Sequence, residues 1–168
     1  MSRDWRAPTA APSAPDVVVE DLSYSPIAVV WRLEDEPPSQ RFRRIVLVSG
    51  ISRGGARVPG TITAYRWDGV LPPPDEVQRA VCDAVTGVIC VDNTLVIGRH
   101  FGALPGDVVV VEVEPLAHEF GDTFSAPVAG IFDRLCDLVA TLATDDRAAA
   151  HLPRAPLGGG VAAGAKTQ

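Results

Sequence analysis

Asp107-Val-Val-Val-Val-Glu-Val-Glu is the strongest strand signal in the chain, and it narrows the choice of fold more than any other segment. Its run Val108 to Val111, matched in length by Ile45 to Val48, is far short of a membrane span. Arg44-Ile-Val-Leu-Val-Ser is apolar on both faces in the same way, as strands lying between helix layers are. Between and around these runs the periodicity changes to that of helices. The chain therefore reads as α/β, a mostly parallel sheet covered by helices.

The other elements follow from local signals. Asp16-Val-Val-Val-Glu is a short apolar strand signal. Ser25 before Pro26 is a capping residue followed by proline at the first helical position, where its missing N–H costs nothing. Ile27, Val30 and Trp31 are then expected on one buried helical face, and Pro37-Pro38 ends the helix. Gly50 to Gly55 reads as a loop, and Gly60 to Trp67 as a strand rich in β-branched and aromatic residues. Asp75 is expected to open the next helix, with Gln78 in the capping-box relation. Its expected buried set is Val77, Ala80, Val81, Ala84, Val85 and Val88. A helix is expected to continue around Thr94 to Phe101, and the last helix runs from near Ser125 to about Leu142. Residues 1–15 and 146–168 are Pro/Ala/Gly-rich and read as a flexible lead and a disordered tail, leaving a folded domain over 16–145.

With 168 residues, 46% hydrophobic and 21% charged, a core of useful size is within reach without staples. The formal net charge of −6 argues against a broad nucleic-acid footprint. The start of the chain has no apolar stretch of the secretory kind. Cys82, Cys90 and Cys136 make neither a complete disulfide set nor a metal-binding pair, and Cys82 and Cys90 read as small core residues. A cytoplasmic location is the expectation.

No GxGxxG, P-loop, GxSxG or HExxH pattern occurs. Gly158-Gly159-Gly160 reads as linker rather than phosphate loop. His118 with Glu114 and Glu119 has the residue types of a small metal site, but Pro115 prevents a helix from placing them on one face. His100 and His151 carry no pattern. Glu112 and Glu114 share one face of their strand, where paired carboxylates could do acid–base work or bind a cation; a strand end emerging into water explains them too. Ligands of open α/β sheets sit beyond the carboxyl ends of strands, and Asp21, Ser49, Asp92 and the glutamate pair fall near such ends.

Four blocks in order resemble the endopeptidases that trim the C-terminus of the nickel–iron (NiFe) hydrogenase large subunit: VVVEDLSYSP, RRIVLVSGISRGGARVPGTITAYRWDG, DAVTGVICVDNTLVIGRHFGALPGD and VVVVEVEPLAHEFGDTFSAPVAGIFDRLCDLVATLA. The resemblance implies a three-layer, phosphorylase/hydrolase-like α/β sandwich of the hydrogenase maturation protease type, with the first β-α unit missing. It also implies that the family's first strand, which lies inside its sheet and is absent here, would leave either a rearranged sheet or an open slot with unpaired backbone groups. Of the family's three metal-ligand positions, the first falls in the missing turn. Ser49 holds the second, an aspartate in the family, and Asp92 stands nearest the third, a histidine. Asp92 is thus the metal candidate, and Asp21, Ser49 and Asp92 are substrate-contact candidates, with no catalytic residue assigned. Ser49 and Asp92 should lie close together at one edge of the sheet. No resident cofactor is implied; the nickel is the substrate's own, and the implied partner is the hydrogenase large subunit, with neither nucleic acid nor membrane. The readings are a degenerate maturation protease, a non-catalytic assembly partner, a truncated product, or a divergent enzyme with a rebuilt site.

A more local likeness covers Asp75 to Val96, which is similar to the acidic segment of RusA-type Holliday-junction resolvases. Asp75, Asp83 and Asp92 fit that pattern, while Pro73, Glu76, Arg79 and Asn93 depart from it. Two-metal phosphodiester cleavage needs several convergent carboxylates. This set is half gone.

Overall fold

The computed structural model describes residues 17–22, 25–53, 57–117 and 123–160. Four strands, β1 (Arg44–Gly50), β2 (Ile62–Trp67), β3 (Asp107–Val113) and β4 (Arg154–Ala155), form one open sheet in the order β1-β3-β2-β4. β1 and β3 are parallel, β2 runs antiparallel to β3, and β4 is parallel to β2. Two of the three pairings are therefore parallel, in an α/β arrangement with helices on both faces.

Strand β3 is central because its sequence leaves no face for water. Val109, Val110 and Val111 are wholly buried. Alternation sends Val108 and Val110 to one core, shared with Val29 and Leu33 of α1 (Pro26–Glu34) and Val91 and Leu95 of α3 (Val91–His100). Val109, Val111 and Val113 go to the other, against Leu135 and Leu142 of α5 (Phe132–Thr144) and Ala149 of α6 (Asp146–Ala150). Helix α2 (Pro74–Val85) packs on α3, and the four-residue α4 (Ala126–Ala129) precedes α5.

At the amino ends of β1 and β3, Asp107 joins three strands to a helix end. Its two oxygens accept from Arg44 Nε (2.6 Å) and Arg66 Nε (2.9 Å). Arg44 also donates to the Leu142 carbonyl (2.9 Å) and to Asp146 (3.0 Å). Burial works to raise the Asp107 pKa, but Arg44 and Arg66 outweigh it and hold the carboxyl below its usual range.

Several expectations need correction. Residues 17–20 form no strand, and Val18 and Val19 are 57% and 76% exposed, since nothing in the sheet pairs with them. Ser25 does cap α1, its Oγ accepting from Ala28 N (3.4 Å), but the buried face is Pro26, Val29, Val30 and Leu33, and Trp31 points to water. Pro73, not Asp75, occupies the N-cap of α2, with no side-chain cap, because Pro74 already supplies a preset first helical residue. Val85 and Val88 are exposed, as is Cys82. Cys90 is half-buried and caps α3, its Sγ accepting from Asn93 N (3.4 Å). The region given to a disordered tail contains α6, β4 and the turn Leu157–Gly160. Asp145 caps α6 through Arg147 N and Ala148 N, and Ala149 and Ala155 bury their methyl groups in the two cores. Short residues that read as low complexity are what close packing there needs. The lead over 1–15 and the segment 161–168 lie outside the described residues.

Candidate functional site

The carboxyl ends of the parallel pair β1 and β3 carry a buried ionic cluster. Glu112 follows Val110 on the face of β3 that meets α1 and α3, and no part of it reaches solvent. Glu114 lies two residues on, just past the strand, and is 6% exposed. Both point the same way, as alternation requires, but neither emerges into water.

Their charge is met by the loop that leaves β1. Arg53 donates from Nε (3.1 Å) and Nη2 to Glu112 Oε1. The same guanidinium grips Asp92 with two parallel bonds, Nη1 to Oδ2 (2.6 Å) and Nη2 to Oδ1 (2.8 Å). That fork-on-fork geometry suits a carboxylate and fixes the plane of the guanidinium. Arg57 Nη1 takes Glu112 Oε2 (2.9 Å), and the Tyr65 hydroxyl donates to Oε1 (3.1 Å). Tyr65 pairs with Val110 across β2 and β3, so its ring reaches Glu112 along the diagonal. Ser52 Oγ donates to Glu114 Oε1 (2.6 Å), and Arg53 N approaches Oε2 (3.4 Å).

Burial drives the Glu112 pKa upward, yet the bonds from Arg53, Arg57 and Tyr65 prevail and hold it below the ordinary carboxylate range. For Arg53, burial disfavours the charge, and Asp92 and Glu112 more than restore it, so the guanidinium stays charged. Tyr65 is pushed well above the usual phenol, first by burial and then by the neighbouring Glu112 charge. The shift favours the protonated hydroxyl that donates to Glu112.

The chain's last described turn closes over this cluster. Gly158 and Gly159 have φ of +77° and +69°. A Cβ on Gly159 would stand 3.0 Å from Tyr65 Cε1, and one on Gly158 would stand 3.6 Å from Arg53 Nη1. The glycine triplet read as linker is a close-fitting strap.

The sequence candidates divide clearly. Ser49 is the register partner of Glu112 across β1 and β3, and Asp92, in the first turn of α3, reaches Glu112 through Arg53. Both thus border the same cluster at the same end of the sheet. Asp21 is exposed in the segment before α1. His118 and Glu119 lie outside the described residues. Among those described, no group of three or more His, Cys, Asp and Glu side chains is placed to hold a metal ion. His100 packs edge-on against Phe101, and His151 Nδ1 lies 2.6 Å from the Arg147 carbonyl.

The resolvase set does not converge. Asp75 and Asp83 lie on the single helix α2, and eight residues of helix rise separate them by about 12 Å along its axis. Asp92 belongs to Arg53.

Sequence reasoning missed Ser52, Arg53, Arg57 and Tyr65. The signal was present: two carboxylates on one face of a strand with no polar face must be neutralised. The only dense source of cations beyond the neighbouring strand end is Ser52-Arg53-Gly-Gly-Ala-Arg57. No family model, curated protein or solved structure matches the chain.

Proposed function

We propose that this chain serves the assembly of a nickel–iron hydrogenase large subunit as a degenerate, maturation-protease-like protein that holds the subunit without trimming it. The fold type would be the phosphorylase/hydrolase-like one of those endopeptidases, without its first β-α unit. The observation that carries the reading is the Arg53 guanidinium seated between Asp92 and Glu112.

By the resemblance, Ser49 and, as the nearest position, Asp92 correspond to two of the family's nickel-gripping donors. Holding nickel through nitrogen and oxygen takes two or three converging donors with free lone pairs. Both Asp92 oxygens already accept from Arg53, and a fixed positive charge occupies the space a second cation would enter. Turning Arg53 away would strip Glu112, which is wholly buried, of its main counter-charge. The nickel concerned belongs to the subunit as cargo. Cleavage is therefore disfavoured at this place, and holding is not.

Holding has a physical basis in the same region. Ligands of open α/β sheets bind beyond the carboxyl ends of strands. Among the described residues β1 is an edge strand, so its outer side offers backbone donors and acceptors to an extended peptide. The test is a binding titration between this chain and the nickel-loaded, unprocessed large subunit. A saturable complex is expected, weakened by about tenfold or more in Ser49→Arg, which places a bulky charge beside that edge. Absence of a complex, or equal affinity for the variant, overturns the proposal.

A further inference from the structure

The opposite end of the sheet holds a second polar feature, remote from the ionic cluster and independent of the role proposed above. A recess of about 60 Å³ opens between the end of β2, the turn into β3, the last turn of α3 and β4; Trp67, Asp68, Gly69, Arg99, Gly106 and Arg154 form most of its wall. That volume is about the share of two water molecules, enough for one small ionised group and too little for a drug-sized ligand.

Three observations give it a charge preference. Arg99 and Arg154 come from different elements, are exposed, and meet no carboxylate among the described residues, although most other arginines of the fold are paired. Trp67 is 6% exposed, and its Nε1–H is buried without an acceptor among the described residues. A buried donor left in that state is costly unless something supplies the acceptor. Finally, Gly69, at φ +77°, keeps the wall bare beneath Arg99, whose Nε and Nη2 lie 3.8 Å from where a Cβ would stand. Asp68 is the one carboxylate on the wall, and its Oδ1 is engaged by Val70 N (2.9 Å). Two guanidinium groups thus face a single carboxylate.

We propose that this recess binds a compact oxyanion, the phosphate or carboxylate group of a ligand, between Arg99 and Arg154 with the Trp67 indole as buried donor. Guanidinium forks match either group, and the indole N–H adds a neutral donor that water-exposed arginines alone would lack.

The test uses the full chain with Trp5 and Trp31 changed to phenylalanine, so that a single indole resonance remains. Amide–indole spectra are followed while inorganic phosphate, or separately acetate, is added against chloride at equal ionic strength. The Trp67 indole signal is expected to move saturably with at least one oxyanion and not with chloride. Movement with phosphate alone assigns a phosphate group, with acetate alone a carboxylate, and with both the shared chemistry. In Arg99→Gln/Arg154→Gln, at exposed positions where folding is not at stake, the affinity should fall by about tenfold or more per arginine removed. No saturable movement with either oxyanion, or an unchanged titration in the double variant, overturns the proposal.

Discussion

Replacing Arg53 by methionine keeps an unbranched apolar stem, shorter than arginine by the guanidinium group, and removes the charge that joins loop, strand and helix. Four guanidinium hydrogen bonds are lost, two to Glu112 and two to Asp92. The Asp92 side chain is 32% exposed, so water takes over there, and that half costs at most about 1 kcal/mol. Glu112 has no exposure, and removing one partner of a buried pair costs about 3–5 kcal/mol. Because Arg57 and Tyr65 stay bonded to Glu112, the lower end applies, and the total is about 3 kcal/mol. For a chain of this length that is a fall of about 6–12 °C in Tm. Urea and thermal unfolding at pH 7 measure it. Glu112→Gln in the Arg53→Met background should cost less than the sum of the two single changes, since the uncompensated charge is then gone. A loss below about 1 kcal/mol for Arg53→Met, the scale of an exposed pair, would refute the claim that the cluster is a buried, interdependent unit.

Acid should destabilise the fold from the carboxylate side. Glu112 and Asp107 have lowered pKa values in the folded state, so their contribution is complete above the ordinary carboxylate range. As pH falls through that range the unfolded chain takes up protons first, and stability drops. Urea midpoints should fall steadily below about pH 4.5, and Glu112→Gln should flatten that slope. Gly159→Ala forces a left-handed φ on an L-residue and drives Cβ against Tyr65, for a loss of about 1–3 kcal/mol by chemical denaturation. Ending the chain at Asp145 removes α6, β4 and the Asp146 partner of Arg43 and Arg44, and uncovers Trp67 and Tyr65. That product should lose cooperative unfolding; a melt unchanged from the full chain would mean the segment is dispensable.

The elements read most accurately from sequence were those whose pattern is decided by burial on both faces. β1 and β3 sit where their aliphatic runs put them, because such runs have no other stable place. The segment at Val17 to Glu20 has the same composition and no strand, since pairing depends on a neighbour that composition does not specify. The α6–β4 segment failed in the opposite sense: Ala, Gly and Pro lack the periodic signal of a core, yet Ala149 and Ala155 pack into it and Gly159 lies against Tyr65. Glu112 and Glu114 were legible as a pair on one face. Their burial was not, because it depends on arginines some sixty positions earlier in the chain, beyond the reach of any local window. Asp92 was singled out as a metal candidate; its role in the structure is to hold Arg53.

The most direct measurement is the intact mass of a nickel-loaded, unprocessed hydrogenase large subunit recovered in complex with this chain. Under the proposed role the subunit is captured and its mass stays unchanged, because Arg53 fills the place between Asp92 and Glu112. Loss of a C-terminal fragment from the subunit, or failure to capture it at all, would contradict it.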